Sequence, residues 1–115
     1  MKKRVIRGIT SMLALVLTAK LGTIQYQGHK ETWYDLNMSN VIARTDRELG
    51  LSDYYNTRED GVKCYGTFVI VAADPIKHQR YTLVETSLGT GIVLDVHTAD
   101  DPELIDIATA WKGGK

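Results

Sequence analysis

The sequence predicts a mainly β domain, a small barrel preceded by one short α-helix, and three observations carry that expectation. Short runs of β-formers recur at intervals of about ten residues through the second half of the chain. Gly and Pro punctuate those runs. A single stretch with a helical apolar period, residues 38–49, falls before them. At 115 residues the chain is long enough for one small domain and too short for two.

Residues 1–19 stand apart. Met1 to Arg7 holds four basic side chains and no acid, and an eleven-residue apolar stretch follows from Ile9 to Ala19. That is the pattern of a secretory signal, too short to span a bilayer as a helix, so a secreted or cell-wall-associated protein is expected, touching the membrane only through this transient segment. The whole chain balances fourteen basic against fourteen acidic residues; without Lys2, Lys3, Arg4 and Arg7, ten face fourteen. A net acidic domain has no counterion-release drive toward nucleic acid, which excludes it as an expected partner.

Residues 20–37 are polar and aromatic, with an edge strand expected near 22–27. Asp35 and the residues around Asn37 supply helix-start chemistry, and Met38, Val41, Ile42 and Leu49 mark one face of a helix over 38–49 that Gly50 stops. A strand is expected near 52–57, and Asp60-Gly61 favours a tight turn. The run Tyr65 to Ala72 is long enough for a buried strand, broken by Asp74-Pro75. Strands over 81–86, 91–96 and 104–109 follow, which places the barrel at 50–111 and leaves 112–115 as a loose tail. Cys64 is alone, so no internal disulfide forms, and a buried thiol is expected.

Function points first to Asp95 and Asp106, eleven residues apart and each inside an aliphatic run. A carboxylate among apolar residues is costly to desolvate unless paired, hydrogen-bonded or left at a cleft, and such acids are where pKa values rise. They are read either as a chemical pair or as strand-end residues satisfying backbone amides. His97 with Asp95, Asp100 and Asp101 lacks the spacing of a zinc or calcium site, so no metal and no cofactor is expected. His29 and His78 read as surface residues, Phe68 and Trp111 as core, and Trp33, Tyr34, Tyr54 and Tyr55 as core fillers or sugar-stacking platforms.

Further elements frame the two acids: Ala72-Ala73-Asp74-Pro75 after a strand, the turn Leu88-Gly89-Thr90, a strand ending in Asp95, and Asp106-Ile107. With these elements, residues 60–111 resemble the three-aspartate domain of bacterial cell-wall enzymes, a six-stranded double-psi β-barrel related to the catalytic domain of the membrane-bound lytic transglycosylase A family. The resemblance implies an exported domain that cleaves peptidoglycan glycan strands, with Asp106 as general acid and base, Asp95 coupled to it by a shared proton or by like charge, and Asp74 completing the cluster or bracing a loop. It implies substrate contacts at Thr90, Gly91 and His97. The family usually follows its strand-end aspartate with Thr-Gly-Gly, where this chain has Val96-His97-Thr98, and often carries Arg or His where this chain has Leu104. A second reading is therefore a noncatalytic wall-binding or assembly module on the same barrel.

Overall fold

A computed structural model describes residues 23–112. The signal segment expected over residues 1–19 and most of the 112–115 tail lie outside the described residues. The chain is mainly β with one helix, in the order β1 (Ile24–Tyr26), β2 (His29–Tyr34), α1 (Ser39–Leu49), β3 (Tyr55–Thr57), β4 (Lys63–Tyr65), β5 (Phe68–Ala73), β6 (Leu83–Thr86), β7 (Gly89–Val96) and β8 (Ile105–Ala108). Six of these strands fall where the sequence places them. Two do not: β2 lies in the polar stretch before the helix, and β4 pairs with β5 across the turn at Gly66. The eight strands form one mixed sheet along the path β1-β2-β8-β5-β4-β3, with β7 and β6 branching from β5. In place of the six-stranded closure expected from the sequence, this path ends at the separate edge strands β1 and β3.

β5 is the hub. It runs parallel to β7, while β4 and β8 lie antiparallel to successive segments of it, at Phe68–Val69 and Val71–Ala72 respectively. Both its faces are covered, which is why Val69 to Ala73 reads as an unbroken apolar run. Val69, Val71 and Ala73 face one core with Trp33, Val93, Ile105, Ile107 and Trp111. The rings of Trp33 and Trp111 meet edge to face at 5.4 Å. Ile70 faces a second core under α1, with Met38, Val41, Leu94 and Ala108.

The helix follows its sequence signals closely. Asn37 Oδ1 accepts from the Ser39 N–H at 2.9 Å. Gly50 ends it in the left-handed conformation at φ 68°, and the Leu51 N–H returns to the Asp46 carbonyl at 3.0 Å. Val41 and Thr45 are its buried positions. Among the described residues no helix is long and apolar enough to cross a membrane.

Candidate functional site

Strand register brings the two suspected aspartates together. Ala72 on β5 pairs with Asp95 of β7 on one side and with Asp106 of β8 on the other, and Asp106 in turn pairs with Thr32 of β2. The row Asp95–Ala72–Asp106–Thr32 thus crosses four strands, with the two aspartate backbones two strand spacings, about 10 Å, apart. The Ala72 side chain between them is small and buried, 4% exposed.

A β-bulge makes this possible. The β5–β7 register shifts between Val71 and Ala72, so that Val71 pairs with Val93 but Ala72 pairs with Asp95, and Leu94 is the extra residue. Strict alternation would turn Asp95 to the same face as Val93, inside the first core; the bulge re-aims it to the helix side, where Asp106 stands.

The acids are held individually. The Thr32 hydroxyl donates to Asp106 Oδ1 at 2.7 Å, and the Val96 N–H donates to Asp95 Oδ1 at 2.9 Å. Both residues are half-buried. Tyr34, two residues beyond Thr32 on the same face of β2, completes the site. Its phenol is pushed far up, first by burial and then by the negative charges of Asp95 and Asp106, so it remains a protonated donor beside both acids. Its hydroxyl is buried and has no hydrogen-bond partner among the described residues.

The other expected site residues lie apart from this row or are engaged elsewhere. Asp74 closes its own turn, accepting from the Ile76 and Lys77 amides at 2.9 and 3.1 Å. His97 pins the loop before β8: its Nε2 is 2.6 Å from the Leu104 carbonyl, as donor, and its Nδ1 accepts from the Ala99 N–H at 3.2 Å. Thr90 donates to the Glu85 carboxylate across the β6–β7 hairpin, five residues and so about 16 Å along the strand from Asp95. Gly91 is buried, and a Cβ there would come within 3.1 Å of Val71 and 3.2 Å of the Val84 carbonyl, so it serves strand packing.

Sequence reading passed over Thr32 and took Tyr34 only as a core filler or sugar-stacking platform. The signal for them was the alternation in β2, which becomes meaningful only once β2 is paired in parallel with β8. It also passed over the most buried acid, Glu31, only 1% exposed. Its carboxylate accepts from the Ser87 amide at 3.0 Å, from the Ser87 hydroxyl and from His29 at 2.8 Å. His29, expected on the surface, is half-buried against it. Among the described residues no group of three or more His, Cys, Asp or Glu side chains is placed to hold a metal ion. No known family model, curated protein or solved structure matches the chain.

Proposed function

We propose that this chain is an exported domain that cleaves peptidoglycan glycan strands, with Asp106 as its general acid and base, on a sheet related to the double-psi β-barrel of the three-aspartate family. The observation that carries the reading is the shared row of Asp95 and Asp106 across Ala72. A β-1,4 glycosidic bond lying across the half-buried ends of Asp95 and Asp106 would meet a carboxyl from each side. Sugar covering the row displaces water and favours the protonated form of an acid there.

In this scheme the Asp106 carboxyl gives its proton to the leaving glycosidic oxygen as the C–O bond breaks. The Asp95 carboxylate stabilises the oxocarbenium-like centre. Asp106, now ionised, takes the proton of the sugar's own 6-hydroxyl while that oxygen bonds to the anomeric carbon, so the anhydro product forms without water and the acid is regenerated. Thr32 fixes the plane of the Asp106 carboxyl, Tyr34 offers a phenolic donor to charge developing between the acids, and Asp74 braces the loop after β5.

The test is whether purified protein releases anhydro-muropeptides from isolated peptidoglycan, resolved by mass. The alternative, a noncatalytic wall-binding module, draws on the residues after Asp95: Val96 is 42% exposed and the His97 ring is committed to its loop. Retention on peptidoglycan without any released product would establish that alternative.

A further inference from the structure

A cleft of about 570 Å³ lies between the first two turns of α1 and the β3–β4 hairpin. Its volume falls within the range of small-molecule sites. The helix forms one wall, where Ile42, Ala43 and Asp46 follow Asn37 and Met38 along a single face. The hairpin forms the other, through Tyr55 of β3 and Lys63 of β4.

Lys63 is only 7% exposed, and a buried ammonium is costly unless it is partnered. Its Nζ donates to Asp35 Oδ1 at 3.0 Å and to the Leu36 carbonyl at 2.7 Å, which balances the charge but engages only two of its three N–H donors. The Asn37 amide stands at the same end, its oxygen taken by the Ser39 N–H and its nitrogen without a partner among the described residues. Asp46 marks the other end. Its Oδ1 accepts from the Tyr65 hydroxyl at 2.6 Å, and no hydrogen bond reaches its Oδ2 among the described residues. Tyr65 follows Lys63 by two residues on the same face of β4, so the donor and acceptor ends are about 7 Å apart along the strand. Tyr55 pairs with Tyr65 in the β3–β4 register and borders the acceptor end, with its ring 38% exposed. Met38, Ile42 and Ala43 make the floor between the ends apolar.

Such a lining disfavours a charged ligand of either sign, since an anion meets Asp46 and Asp35 and a cation meets the Lys63 ammonium. It matches a neutral body that offers an acceptor to Lys63 and Asn37, a donor to Asp46 and an apolar face to Tyr55. A ring carrying hydroxyls and a secondary amide has all three. We propose that the cleft between α1 and the β3–β4 hairpin binds one uncharged N-acylated sugar ring, so that the chain recognises the amide substituent of a glycan at a place separate from the acid row. Asp35, the partner of Lys63, directly follows Tyr34 in the chain, so the donor end adjoins the β2 flank of that row. The choice of a sugar over another neutral amide rests on the glycan-cleaving reading; the donor and acceptor ends do not.

The experiment follows binding to full-length protein with the amide resonances of Ala43, Tyr55 and Lys63 as the site readout. The probes are β-1,4 oligomers of N-acetylglucosamine, of glucosamine with free amines and of glucose, together with an N-acetyl dipeptide amide. The N-acetyl oligomer is expected to shift all three signals and to bind about tenfold or more tighter than the other two oligomers, as loss of hydrogen bonds to charged groups implies. Ala43→Arg puts a long side chain into the cleft from an exposed helical position and is expected to weaken that binding by about tenfold or more. Equal affinity for the three oligomers, binding that leaves the three signals unmoved, or binding undiminished in a folded Ala43→Arg overturns the proposal, as does silence toward every probe. Release of anhydro-muropeptides by the same protein would then leave the cleavage reading standing. Selective binding in the cleft with no such release sustains the proposal while the cleavage reading fails. Tighter binding of the dipeptide amide than of any oligomer assigns the cleft to a peptide and refutes the sugar. The wild-type comparison of the three oligomers needs no variant, so a misfolded Ala43→Arg does not decide the outcome.

Discussion

Glu31 and Asp106 occupy neighbouring register positions of the same strand pair, Glu31 opposite Ile105 and Asp106 opposite Thr32, yet they face opposite sides of the sheet. Glu31 points into the core side, is closed off from water, and is surrounded by donors from Ser87 and His29. Asp106 points to the helix side, is half-buried, and stands in a row with a second acid. Burial by itself therefore does not single out the acid of the proposed chemistry: full enclosure with complete hydrogen bonding describes a structural knot, whereas the proposed reaction needs an acid that is partly exposed and stands in a row with another.

The largest expected effect on stability comes from the enclosed acid. Glu31→Ala would strand the Ser87 amide and hydroxyl and the His29 ring inside the protein, a loss of about 3 kcal/mol by analogy with broken buried charge networks. Denaturant unfolding measures it. A loss near zero would mean that Glu31 is no knot and would remove the contrast with Asp106.

Gly91 sharpens the comparison from the other end of β7. Adding a Cβ there presses on Val71, Thr86 and the Val84 carbonyl, so Gly91→Ala is expected to cost about 1–2 kcal/mol through overpacking. Because Gly91 lies four residues from Asp95 along the strand, glycan binding by the folded variant should match wild type. Impaired binding at unchanged stability would return Gly91 to the site.

The smallest effect concerns a polar link away from both acids. The Tyr65 phenol is pushed up to about 12 by burial and by its 2.6 Å hydrogen bond to Asp46. Unfolded, the same phenol ionises near 10, so between these values the unfolded chain has lost a proton that the folded chain keeps. The associated stability is fully present below about pH 10 and is lost as pH rises toward 12. Across that window the stability of wild type should fall more steeply with pH than that of Tyr65→Phe; parallel curves would show that the link does not matter.

Much of this was legible in the chain. The helix was, because Asn37, the apolar face and Gly50 are local signals. The hub strand was, because burial on both faces leaves a continuous apolar run. β2 was not: His29, Lys30, Glu31 and Thr32 look solvated, and only the Ser87 turn, 56 positions away, makes the Glu31 carboxylate a core group. The pairing of Asp95 with Asp106 was suggested by their shared aliphatic setting, but their common face depends on the bulge at Leu94, which alternation alone argues against. Thr90 and Gly91, implied as substrate contacts by the resemblance, lie on β7 five and four residues before Asp95, a separation that only the strand makes definite.

The measurement that bears most directly on the central claim is release of anhydro-muropeptides from peptidoglycan by wild type and by Asp106→Asn, with thermal melts alongside. The amide keeps the volume of Asp106 and an oxygen for the Thr32 hydroxyl, so the variant should melt within about 1 kcal/mol of wild type. It cannot deliver a proton, so release should fall by at least about a hundredfold. Equal release from two equally folded proteins would contradict the assignment of Asp106 as the acid.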